Sequence, residues 1–121
     1  MTFPKDVLSL LDRTREVDVE TRSSSGITHR VPIWVVVAGD DVFARSWRGS
    51  GARWYREILM RDGALVAGRR RIPVRAVRAD DPDSVRRTSE GYQTKYRDSR
   101  STPSMLRSEI LDTTIRLEPA G

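Results

Sequence analysis

Apolar and polar positions along this chain alternate between two periods. Glu16-Val17-Asp18-Val19-Glu20-Thr21 alternates residue by residue, the period of a strand with one buried face. Ser23-Ser24-Ser25-Gly26 supplies turn chemistry, and His29 to Val37 follows as a β-branched run long enough for a central strand. The two segments read as a hairpin. Gly39-Asp40-Asp41 turns the chain into Val42-Phe43-Ala44-Arg45-Ser46-Trp47, a third strand antiparallel to the second. Leu65 to Ala67 and Arg71 to Val77 give two further strands with Gly68 at the bend. Pro73 has no N–H for a ladder, which predicts an edge or bulged strand there. Alternation from Leu111 to Leu117 predicts the last strand.

Helical spacing appears in three places. Val7, Leu8, Leu10 and Leu11 follow Pro4 and predict a short opening helix. Trp54, Tyr55, Ile58 and Leu59 fit a helix over residues 52–60, closed by Asp62-Gly63. From Asp80 the pattern turns helical again, with an acidic, capped start and Val85, Thr88, Tyr92 and Tyr96 at helical intervals. Residues 99–104, rich in Ser, Thr and Pro, read as a loop. The sum is a single α+β, mainly β domain over residues 1–121, with six antiparallel strands and flanking helices. Closure into a small barrel would remove the vulnerable sheet edges.

Composition narrows the chemistry. The chain has no cysteine and one histidine, which excludes disulfides, thiolate metal sites and cysteine nucleophiles, and leaves little for a zinc site. No apolar run approaches the roughly 20 residues needed to span a bilayer and no signal-like segment follows the amino terminus, so a cytoplasmic protein is expected. The net charge is +5, and of 22 basic residues only Lys5 and Lys95 are lysine. Arginine forks suit phosphate and carboxylate. An anionic partner and a simple compositional preference for arginine both fit that balance.

The richest segment runs from Thr21 to Tyr55. Gly49 and Gly51 free the backbone after the third strand, and Arg48 and Arg53 stand where a helix begins, an arrangement that suits a phosphate group or an ordinary mobile connection. His29, the one histidine, could donate to a ligand or shuttle a proton, or be a surface or packing residue, and Arg30 follows it. Trp34, Trp47 and Trp54 lie on or beside the same elements, either as core or as flat faces for a heterocycle. The Arg69-Arg70-Arg71 run has no interleaved aromatics, which favours a solvated hairpin over nucleic acid. No nucleophile motif is present, so any catalysis would be carried by a cofactor.

The residues Thr21-Arg22-Ser23-Ser24-Ser25-Gly26, His29-Arg30-Val31-Pro32-Ile33-Trp34, Gly39-Asp40, Arg45-Ser46-Trp47-Arg48-Gly49 and Arg53-Trp54-Tyr55-Arg56 resemble domain-of-unknown-function family 2255. That family in turn looks like the flavin-binding split-barrel superfamily of pyridoxamine-phosphate oxidases and deazaflavin-dependent nitroreductases. The resemblance implies a six-stranded split barrel that pairs as a homodimer and binds FMN or a deazaflavin near the subunit interface. It places Ser25, His29 and Arg30 near the cofactor tail, Pro32, Ile33 and Trp34 along the ring, and Ser46, Trp47, Arg48, Arg53 and Trp54 on the phosphate side. Ser24 stands where the nitroreductase-like pattern has a lysine, and Glu57-Ile58 where an Asn-Leu pair is common. The implied activity is hydride transfer to a small organic acceptor. The alternative is a non-catalytic barrel that sequesters a flavin-like or other anionic small molecule.

Overall fold

The computed structural model describes residues 2–120. The opening helix, α1, spans Lys5–Arg13 and buries Val7, Leu8 and Leu11. Strands β1 (Val17–Arg22) and β2 (Thr28–Ile33) form the expected hairpin, with Val17 opposite Ile33 and Thr21 opposite His29. The β-branched run does not continue as one strand. It breaks at Trp34, and β3 (Val35–Ala38) pairs with β4 (Asp41–Ala44) instead of continuing beside β1. After a 3-10 turn at Gly49–Gly51 come helix α2 (Arg53–Met60), strands β5 (Gly63–Ala67) and β6 (Arg70–Arg78), and helix α3 (Pro82–Lys95). A short helix, α4 (Thr102–Met105), a 3-10 turn (Ser108–Thr113) and strand β7 (Ile115–Pro119) complete the order.

The seven strands form one antiparallel sheet in the order β2-β1-β5-β6-β7-β4-β3. Its two outermost strands are thus consecutive in sequence. Ile33 and Val35 are separated by one residue, which reaches at most about 7 Å, so the sheet curls until its ends meet at Trp34. The inside of this half-barrel is filled by Val17, Val19, Val35, Val42, Leu65, Val74, Ile115 and Leu117, with α1 and α2 closing it. A second cluster lies outside the β3–β4 hairpin, where Val36 and Phe43 pack under Tyr92 and Tyr96 of the α3 segment and under Met105 and Ile110. Gly91 permits that close approach, since a Cβ there would lie 2.9 Å from the Val36 side chain.

Four expectations are corrected. There are seven strands because the second predicted strand is two. Pro73 lies in β6, between β5 and β7; its carbonyl accepts from Ala120 N just past the end of β7, so its missing donor falls where that ladder stops. The last strand begins at Ile115, because the hydroxyls of Thr113 and Thr114 bond back to the carbonyls of Ile110 and Leu111 and hold a turn. The 99–104 segment contains the start of α4. The third helix starts as expected, with the Asp81 carboxylate accepting from Ser84 N at 3.0 Å. Among the described residues, no helix is long and apolar enough to cross a membrane.

Candidate functional site

The break at Trp34 opens a cleft of about 280 Å³ between the ends of the sheet, near the lower end of the roughly 300–1,000 Å³ usual for small-molecule sites. One wall is Pro32, Ile33 and Trp34, at the end of β2; the other carries Arg45 and Trp47, just after β4. Trp54, in the first turn of α2, and Ser101, Ser104 and Met105, around α4, complete the lining with Glu16. All three tryptophans of the chain therefore face one cavity.

Each is held from behind. The Trp34 ring stacks on Tyr96, with centroids 4.0 Å apart and planes 2° from parallel. Trp54 meets Tyr55 edge to face at 6.2 Å. Trp47 is 54% exposed, and the Arg107 guanidinium lies 5.8 Å from its ring centroid. Tyr92 ties the two walls together: its hydroxyl donates to the Trp34 carbonyl at 2.9 Å and accepts from Arg45 N at 3.1 Å. Burial raises the pKa of both Tyr92 and Tyr96 well above the ordinary phenol value, so they stay neutral hydrogen-bonding groups.

Arg45 is the most unusual side chain in the wall. It is 1% exposed, and its guanidinium donates to Thr114 Oγ1 at 2.8 Å, to the Met105 carbonyl at 3.0 Å and to the Val85 carbonyl at 2.8 Å. All three acceptors are neutral. Burial lowers its pKa from the ordinary arginine value.

The residues expected around a cofactor divide into three groups. Pro32, Ile33, Trp34, Trp47 and Trp54 converge on the cleft. Arg48 borders a shallow groove that shares Trp47 with the cleft and also takes in the Gly49–Gly51 turn and Arg107. Arg53 is exposed at the first residue of α2. Ser46 is buried, and its hydroxyl donates to the Gly49 carbonyl at 2.6 Å, shaping the turn. Ser25, His29 and Arg30 lie on the β1–β2 hairpin, outside the cleft lining. Ser25 Oγ is 3.0 Å from Ser23 Oγ, and Arg30 reaches Asp18 at 3.5 Å.

His29 belongs to a half-buried polar group built around Glu57. Glu57 Oε1 accepts from Thr21 Oγ1 at 2.7 Å and lies 3.1 Å from His29 Nδ1. Burial works to raise the Glu57 pKa, but the Thr21 and His29 bonds and the nearby Arg53 charge outweigh it, and the carboxylate titrates below its ordinary range. Sequence reasoning missed Glu16, Arg45, Ser101, Ser104 and Met105 as cleft residues. The one available signal was an arginine directly continuing the apolar Val42-Phe43-Ala44 run. Among the described residues, no group of three or more His, Cys, Asp or Glu is placed to hold a metal.

A curled antiparallel sheet open between its β1–β2 and β3–β4 hairpins, with helices sealing its interior and a cavity at the opening, defines a split barrel. Residues 7–117 match the family described as "uncharacterized protein conserved in bacteria" (DUF2255), and the chain belongs to it. Solved structures share the fold at low identity. A putative pyridoxamine 5'-phosphate oxidase from Listeria innocua superposes with a TM-score of 0.65 at 13% identity, covering 96% of this chain and 92% of its own. An F420 reductase gives 0.59 at 18%, covering 98% and 97%. The haem storage protein HutZ from Vibrio cholerae gives 0.65 at 12%, covering 100% and 92%. No curated protein matches by sequence.

Proposed function

We propose that this split barrel binds a flat, flavin-like small molecule, FMN or a deazaflavin, in the cleft between β2 and β3. The observation that carries the reading is the convergence of all three tryptophans and the buried Arg45 on one cavity of ring size. Trp34, stacked on Tyr96, offers a broad apolar face, and Pro32 and Ile33 line the same space. An anionic tail would run past Trp47 toward Arg48 and Arg53, leaving Ser46 to shape the turn. Any hydride transfer to a small acceptor is the chemistry of the bound ring, and the protein supplies position and electrostatics. A homodimer fits this reading, since the open β2 edge and the exposed Trp47 flank the site.

The test is thermal denaturation of the purified protein with FMN, FAD, F420 and haemin, followed by tryptophan emission. A ligand at 100 times its Kd stabilises the native state by about 2.7 kcal/mol, a shift of several degrees for a domain of this size. Emission should fall sharply because every tryptophan borders the cleft. Absence of both effects with all flavins and deazaflavins would remove the proposal.

A second reading, sequestration without turnover, is favoured by one observation: among the described residues, the cleft lining holds no histidine and a single carboxyl, Glu16. Tight binding with no reduction of any of a panel of electron acceptors would select it.

A further inference from the structure

Arg45 is the most buried arginine, yet it is a cation without an anion. Arg87 and Arg116, which retain more exposure, each meet a carboxylate at 2.8 Å, from Asp41 and Glu118 respectively. No carboxylate lies within 4 Å of Arg45 among the described residues. A guanidinium has five N–H groups; three of those of Arg45 are used on Thr114, Met105 and Val85, each a neutral acceptor. A buried charge that lacks a counter-charge is costly, and clamping α3, α4 and the segment before β7 needs hydrogen-bond donors rather than a net charge. Arg45 also lines the cleft directly. The other charged groups around it do not neutralise it. Glu16 sits exposed on the rim and makes no ion pair with it, Arg15 and Lys95 lie against Tyr96, and Arg107 lies against Trp47.

We infer that the cleft selects a ligand whose flat ring is itself negatively charged, with Arg45 as the buried counter-ion and the Ser101 and Ser104 hydroxyls beside it as further donors. This rests on the reading of the cleft as a small-molecule site and sharpens it. Within the flavin-like class it favours an 8-hydroxy-5-deazaflavin, whose ring oxygen ionises, over an ordinary flavin, whose ring is neutral. A negative charge on the tail alone does not satisfy it, because the tail lies outside this wall.

Two matched pairs of probes decide the matter by titrating tryptophan emission. The first pair is 8-hydroxy-5-deazariboflavin, at a pH where its hydroxyl is ionised, against riboflavin; both carry the same uncharged side chain. The second is 2-naphthoate against 2-naphthamide, which differ in charge at nearly constant shape. The anionic member should bind about tenfold tighter or more in at least one pair, and the preference should fall below about twofold in Arg45→Met while Arg45→Lys retains part of it. Preference for naphthoate with neither flavin bound would keep the charge inference and remove the flavin reading. Equal binding within each pair would overturn the charge inference and leave the flavin reading standing if the ring pair binds. Failure of all four probes would overturn both. Should Arg45→Met not fold, as its far-ultraviolet dichroism would show, the wild-type pairs still decide.

Discussion

Replacing Gly91 with alanine sets two effects of known size against each other. Gly91 is in the interior of α3, where alanine is favoured over glycine by about 1 kcal/mol through backbone entropy. Against this, the new Cβ would lie 2.9, 3.0 and 3.3 Å from Cβ, Cγ2 and Cγ1 of Val36, a residue 1% exposed on β3 and directly opposite the fully buried Phe43. Overpacking of this kind costs about 1–3 kcal/mol, and Val36 is itself packed in the second core cluster with Phe43 and Tyr92. Gly91→Ala should therefore destabilise by about 1 kcal/mol net. Val36→Ala alone should cost about 2 kcal/mol in lost burial and cavity. The double variant refills that cavity with the alanine methyl and recovers the helical gain, so the two changes should couple by about 2 kcal/mol, within the range for touching residues. Urea denaturation of the wild type and three variants measures this cycle. A stabilised Gly91→Ala, or additivity within about 0.5 kcal/mol, would refute the tight apposition of α3 on β3. The cleft should register it too, because Trp34 is held by Tyr92 and Tyr96 of the same segment, so the tryptophan emission of Gly91→Ala should shift.

Two further outcomes follow from the buried polar groups. Lys95 Nζ donates to the Leu11 and Val35 carbonyls at 2.8 and 2.7 Å, and burial lowers its pKa to about 8. Above that pH the unfolded chain holds more protons on this lysine than the folded one, so its contribution makes stability rise between about pH 8 and 10 by roughly 1–2 kcal/mol, a value reduced for partial solvent access. Denaturation at a series of pH values should show that rise in the wild type and not in Lys95→Met. Glu57→Ala leaves the buried Thr21 hydroxyl and His29 Nδ1 without their shared acceptor and should cost about 1–3 kcal/mol. Glu57→Gln keeps an acceptor oxygen and should lose less, as compared by urea denaturation.

The regular elements were legible because their burial is one-sided. Val17 and Val19 face the core while Asp18 and Glu20 do not, and the sequence carries that alternation directly. The break at Trp34 was not legible, because nine residues from His29 to Val37 suit a strand throughout and only their partners differ: β1 for the first part, β4 for the second. Trp34 leaves the ladder because its ring stacks on Tyr96, more than sixty residues on, and its carbonyl accepts from Tyr92. The same holds for the cleft. Its tryptophans could be named from their position in the chain, but Arg45 is one of many arginines, and its burial follows from acceptors at Val85, Met105 and Thr114 that no local pattern announces. The 3-10 turn before β7 hid behind an alternation that its threonine hydroxyls override.

Joining the two end strands of the sheet through Trp34 alone leaves that side of the cavity no freedom to lengthen. An insertion there would part the ends whose meeting creates the opening. The turn between β4 and α2 and the α4 segment carry no such constraint, and extra residues in them would alter the lining without touching the sheet. The junction is the fixed jaw of the site and those two segments are its adjustable one, so a library randomised at Trp47, Arg48, Ser50, Ser101 and Ser104, which are not core residues, should yield altered ligand preference with the barrel intact.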